Sequence, residues 1–210
     1  IVYRTLGLKD SRLRILFEGH SLLPPRTGVG RSTLQLLRLL QDHEEIKEIH
    51  VMLGVAPIGK HWKSGYRAIH EIDPGWKIHR FPIPLGGLFR SWRWINQPKI
   101  ERWIKGIELL HGPAHVLPAH ESIPAVMTVH DMSLFEHPEW YPPRARDFSK
   151  QIEYGLQHAD HIITPSKTIK DQLIANISFL EGKVTAIHHQ VDPQFEAIPV
   201  EQKRLVRMNL

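Results

Sequence analysis

A chain of 210 residues, 41% hydrophobic and 23% charged, has enough apolar surface to close one globular core, which excludes a disordered or low-complexity polymer. It has no cysteine, which excludes a disulfide framework, a thiolate metal cage and a cysteine nucleophile, and makes a cytoplasmic setting the expectation. A net charge of +5 and a pI near 9.5 favour phosphate-bearing partners, whether nucleotide, nucleic acid or anionic lipid, without choosing among them.

The longest apolar runs, such as Ile123 to Val129, reach about a third of the roughly 20 residues of a spanning helix, and the first residues lack a signal-peptide layout. The chain starts at Ile1, so upstream residues are expected to exist. The 15 histidines are scattered without HExxH or another close ligand spacing, and no metal site is expected.

In chain order, β-branched and apolar runs alternate with helical periodicity. The first strand reads Leu13 to Glu18, followed by the Pro- and Gly-rich loop HSLLPPRTGVG and a helix whose buried face carries Leu34, Leu36, Leu37, Leu39 and Leu40. Further strands are expected at Glu48 to Leu53, Lys77 to Phe81, Ile107 to His111, Ala125 to His130, His161 to Pro165 and Lys183 to His188. Helices are expected over Lys99 to Gly106, Arg144 to His158 and Lys167 to Ile174, while 54–76 resists assignment apart from the Asp73-Pro74-Gly75 turn. The fold class is α/β: a Rossmann-like, doubly wound, mostly parallel sheet of about seven strands in a single domain over 1–210.

Open α/β sheets bind ligands beyond the carboxyl ends of their strands, where strand order reverses. The positions to inspect are therefore the Gly28 loop, the His111-Gly112-Pro113 turn, His130-Asp131, Ser166, and His188 to Asp192. His20, His111 and Ser166, each near a strand end, are candidates for sugar or acceptor contacts. Gly28-Val29-Gly30 opens a helix beside Arg31, offering backbone N–H groups and a positive helix end to an anion; the other reading is a flexible turn. The loop is neither a P-loop, which needs GxxxxGK[ST], nor a dinucleotide fingerprint, whose glycines follow the strand directly. Ala125 to Val129 form a buried strand that delivers His130 and Asp131 to the ligand edge. There they either bind sugar hydroxyls and orient one another, or cap the next segment. A His-Asp doublet also serves metal-dependent phosphohydrolases, but that fold is all-helical.

Taken together, RILFEGHSLLPPRTGVGRSTLQLLRLL, VMTVHDMSLFEHPEWYPP, ADHIITPSKTIKDQL and KVTAIHHQVDPQF resemble, in order and spacing, the N-terminal domain of group 1 (family 4) retaining glycosyltransferases. The likeness is nearest to mannosyltransferases of bacterial surface-polysaccharide synthesis. It implies one half of a GT-B fold, with the acceptor lying mainly on this domain and the nucleotide held by a C-terminal nucleotide-sugar-binding domain absent from this chain. It further implies that Gly28, Gly30 and Arg31 contact the donor diphosphate, and that His130, with Asp131 beside it, sits at the transferred sugar as the catalytic pair. It implies metal-independent chemistry without a cofactor, the nucleotide-diphosphate sugar being a substrate. By itself the domain is expected to be inactive, and the gene is expected to continue for about 150 to 200 residues.

Several positions depart from the family pattern. No two glutamates stand at i and i+8, as the family's second-domain pair would. The chain ends at VEQKRLVRMNL, where the family crosses into its second domain. An Asn-Gly turn is replaced by His189-Gln190 before Val191-Asp192, and the aromatic after the loop arginine is Ser32.

One basic segment stands apart. FRSWRWINQPKIERWIK interleaves Phe89, Trp92, Trp94 and Trp103 with Arg90, Arg93, Arg102 and lysines, a pattern suited to an anionic membrane surface on the cytoplasmic side. The alternative is a helix whose tryptophans face the core. Nucleic acid is not an expected partner, since no RNA- or DNA-binding motif accompanies the segment. The other functional readings are a glycan- or lipid-acceptor-binding module without catalysis, and a peripheral membrane interaction domain.

Overall fold

The computed structural model describes residues 12–54, 67–143 and 145–189. Seven strands form one sheet: β1 (Leu13–Glu18), β2 (Ile46–Gly54), β3 (Lys77–Phe81), β4 (Leu109–Gly112), β5 (Ala125–Thr128), β6 (His161–Thr164) and β7 (Val184–Ala186). Their order is β3-β2-β1-β4-β5-β6-β7, and every pair is parallel. The order reverses between β1 and β4, where Ile15 to Phe17 run beside Leu109 to His111. The sheet is doubly wound, as the alternation of strand and helix requires.

Side chains alternate across the pleat, so each strand feeds two cores. Ile15, Phe17, Ile49, Val51 and Leu109 are buried on one face with Leu37 of α1 (Gly28–Gln41). Leu16, Met52, Phe81, Leu110 and Met127 are buried on the other with Leu88 and Trp92 of α2 (Leu85–Ile95) and Ile152 of α4 (Ala145–His158). A short α3 (Ser133–Glu136) precedes α4, and α5 (Lys167–Asn176) follows β6.

Two expectations change. Lys99 to Gly106 is not a helix: only a 3-10 turn, Ile100–Arg102, forms. Glu101 there turns its carboxylate to the backbone N–H groups of Glu121, Ser122 and Ile123, and Gly106 at φ 74° redirects the chain into β4. In α1, Leu39 is 54% exposed, because Leu34, Leu37 and Leu40 already fill the stripe that meets the sheet. The Trp- and Arg-rich segment takes the helical alternative over its first part: α2 starts after Pro84, buries Trp92 and ends at Asn96 in the left-handed conformation. Residues 55–66 and the Gln190-Val191-Asp192 turn lie outside the described residues.

Candidate functional site

Two glycines shape the crevice at the switch point by close approach. A Cβ on Gly30 would stand 2.1 Å from the Ser21 carbonyl oxygen, so α1 presses its first turn against the loop leaving β1. A Cβ on Gly112 would stand 1.9 Å from the Val116 oxygen, so the chain after β4 folds back on the strand end. That fold-back holds His115 at φ 64°.

The helix end offered to an anion is partly capped. Thr27 Oγ1 accepts from the Gly30 N–H at 3.4 Å, whereas Gly28 is exposed with open space around its Cα and Arg31 is exposed beside it. Gly30 thus has a packing duty, and Gly28 and Arg31 are the accessible members of the expected phosphate set.

His130 leaves β5 half-buried, and its Nε2 donates to the Pro113 carbonyl at 2.8 Å. A carbonyl can only accept, so Nε2 carries the hydrogen. Burial lowers the pKa below 6.5 against the opposing Pro113 bond, and nearby His189 lowers it further. The ring is neutral at pH 7, and Nδ1, which has no partner among the described residues, remains an acceptor. The His130 ring stands 5.3 Å from that of His115 and 5.5 Å, stacked, from that of His189. His189 Nδ1 in turn meets Ser32 Oγ at 3.3 Å. The two positions that depart from the family pattern, Ser32 and His189, therefore touch, and through them the first turn of α1 is linked to the end of β5.

Asp131 is exposed and accepts from the Ser133 N–H at 3.0 Å and from the Ser133 hydroxyl. It opposes its own desolvation through these bonds and nearby His115 and His130, and its pKa lies below the ordinary value. It closes an Asx turn onto Ser133, the first residue of α3.

His20 is fixed from below. Glu18, with no exposed surface, accepts from the His20 backbone N–H at 3.1 Å and from its Nδ1–H. Burial works against a charge on His20, but the Glu18 carboxylate outweighs it and raises the pKa. Sequence reading passes over Glu18 and His115: the first reads as the polar end of a strand, the second as the tail of a turn.

Other candidates fall elsewhere. His111 has no exposed surface; its Nε2 pairs with Thr128 Oγ1 at 2.9 Å and desolvation pushes its pKa down to about 3, so it underlies the crevice rather than lining it. Ser166 caps α5, its Oγ accepting from the Ile169 N–H at 3.2 Å. Trp92 is 1% exposed and belongs to the core, which removes it from any membrane-facing set: it sits on the stripe of α2 that meets the sheet. Trp94 and Trp103 are exposed, as are Arg90 and Arg102, and the Arg93 guanidinium lies 5.9 Å from the Trp94 ring centre. Among the described residues no group of three or more His, Asp or Glu could hold a metal ion, and no helix is long and apolar enough to cross a membrane.

A doubly wound parallel sheet, with a glycine-opened helix and a histidine turn facing each other across its switch point, is the Rossmann-like architecture of a GT-B half. The chain belongs to Glycosyltransferase Family 4, whose family model matches residues 26–195. It is 26% identical over 201 residues to "O-antigen chain mannosyltransferase B" of Escherichia coli, the match covering 91% of this chain and 52% of the relative. The chain thus spans about half the length of the curated relative it matches.

Proposed function

We propose that this chain is the acceptor-side half of a retaining glycosyltransferase that moves a sugar, mannose, from a nucleotide-diphosphate sugar to a glycan or lipid-linked acceptor. The observation that carries the reading is the neutral His130, its Nδ1 free, linked through His189 and Ser32 to the first turn of α1. In the transfer, the bond between the anomeric carbon and the departing diphosphate breaks as the acceptor hydroxyl oxygen bonds that carbon, and the hydroxyl proton passes to the departing diphosphate oxygen. Negative charge grows on the diphosphate, and the Gly28 N–H, the helix end and Arg31 stabilise it by fixed dipoles and charge, without a metal. His130 accepts a hydroxyl of the transferred sugar, and the ionised Asp131 holds the turn in place. Nucleotide binding falls to a second, C-terminal domain, so this chain alone is expected to be inactive.

A mannosyltransferase relative supports mannose as the sugar, and a cytoplasmic, membrane-peripheral setting suits a lipid-linked acceptor. The exposed Trp94 and Ile95, beside Arg93 and Lys150, favour that peripheral placement. Titration calorimetry of the chain with methyl mannoside or a mannose disaccharide, and separately with a nucleotide-diphosphate mannose, tests the assignment. Saccharide binding with negligible donor binding is expected, and His130→Ala weakens it. Tight binding of the donor would mean that the chain is the nucleotide half.

A further inference from the structure

Beyond the crevice, the segment that follows β5 leaves a large aromatic side chain uncovered. Trp140 closes the 3-10 turn Pro138–Trp140 in the segment that begins at His130-Asp131, and it is 67% exposed. Its ring lies flat on the His137 imidazole, centres 4.0 Å apart at 11°. His137 is held from the other side of the turn by Glu139, Nδ1 to Oε1 at 3.1 Å. One indole face is therefore covered, while most of the side chain remains open to solvent.

The surroundings say what fits there. Tyr141, the next residue, joins its hydroxyl to Ser133 Oγ, which donates to the Asp131 carboxylate. Hydroxyls and two carboxylates, Asp131 and Glu139, thus belong to the same short segment as the exposed indole. A protein interface needs about 800 Å² from each partner. Among the described residues of this segment, only Tyr141 adds another exposed large hydrophobic side chain. A pyranose has the matching shape and polarity: one apolar C–H face of about the indole's size, rimmed by hydroxyls that a few placed polar groups can orient.

We propose that Trp140 is the platform of an acceptor-saccharide subsite, where a pyranose ring stacks on the indole and turns its hydroxyls to the Asp131, Ser133 and Tyr141 chain. The proposal rests on the reading of this chain as the acceptor side and assigns the acceptor a place that His130 does not occupy. The test is nuclear magnetic resonance of the whole chain, following the indole N–H signals while methyl mannoside or a mannose disaccharide is added. The Trp140 signal is identified by its loss in Trp140→Phe.

The Trp140 signal is expected to shift saturably, with a dissociation constant that rises at least fivefold in Trp140→Ala and is unchanged in Trp94→Ala. The exposure of both side chains lets the variants fold. Saccharide binding that leaves the Trp140 signal still, and is equally strong in Trp140→Ala, overturns the subsite while the acceptor reading stands. If no signal in the chain responds to either saccharide, both fall together.

Discussion

His111 meets no solvent, and its imidazole stays neutral because a charge there would be stripped of water; its folded-state pKa of about 3 is far below the ordinary 6.5. A depressed histidine pKa stabilises the fold fully above 6.5, and that contribution is lost as pH falls toward 3, because the unfolded chain takes up the proton first. Between pH 7 and pH 5 this one group removes about 2 kcal/mol of stability, the slope approaching 1.36 kcal/mol for each unit once the unfolded histidine is protonated. Urea unfolding of the wild type and His111→Gln at pH 7 and pH 5 checks it. The variant is expected to be less stable at both values, having disturbed a packed site, but to lose less on acidification. An equal loss in the two proteins would mean that His111 is not the group resisting the proton. His130 follows the same logic more weakly, being only half-buried. His20 differs in sign, because the buried Glu18 carboxylate beside it favours the charged ring.

At the scale of the element, the two glycines at the start of α1 differ in what a methyl group would meet. Nothing lies within 4 Å of a Cβ on Gly28, while one on Gly30 would overlap the Ser21 backbone oxygen. Gly28→Ala is expected to be neutral or to stabilise the helix by up to about 1 kcal/mol. Gly30→Ala is expected to cost about 1–3 kcal/mol, the range for forcing extra volume into a packed contact. Thermal or urea unfolding of both variants separates the roles; equal effects would show that the contact between α1 and the loop yields without cost.

The same helix shows how far sequence reaches. Its start was legible from the glycines and its course from the leucine spacing, but Leu39 could not be told from its neighbours before the sheet fixed which stripe is covered. The strands were legible because β-branched, apolar runs have few other homes, and β1 and β3 fall where the residues place them. Helix α2 was legible as one of two readings of the Trp- and Arg-rich segment, with Trp92 facing the core, whereas Lys99 to Gly106, read as a helix, forms only the 3-10 turn Ile100–Arg102. The hydrogen bonds from 121–123 to Glu101 that hold it come from residues distant in sequence. At the site, the His130-Asp131 turn and the Gly28 loop were legible as strand-end and helix-start signals. His115 was not, because its place depends on the chain after Gly112 folding back on itself.

For the whole molecule, the two ends of the sheet have different duties. Helix α2 begins at the ligand edge, where a Cβ on Gly54 would meet Leu85 and Leu88 and where Phe89 lies edge-on to His20 at 6.4 Å. It runs alongside α4: Phe89 meets Phe148 at its start, and Asn96 accepts from the Tyr154 hydroxyl at 2.7 Å at its end. Because α4 leads into β6, Trp94 and Ile95 lie toward the end of the sheet away from the crevice, flanking a cavity of about 600 Å³ with Lys150 and Arg93. A membrane held there would leave the crevice free to receive a soluble donor. Co-sedimentation with anionic phospholipid vesicles is expected at an ionic strength of about 0.01 M, where charges are screened only beyond ~30 Å. At about 1 M, where the screening length is ~3 Å, the chain is expected to be released. Replacing Trp94 and Ile95 together by alanine should weaken vesicle binding at least about thirtyfold, since each apolar side chain withdrawn from water contributes of order 1 kcal/mol or more. The double variant should keep its fold, because both side chains are largely outside the core. If the wild type stays in solution with anionic vesicles at low salt, the exposed pair does not serve a membrane, and the basic charge around it is only a solvated surface.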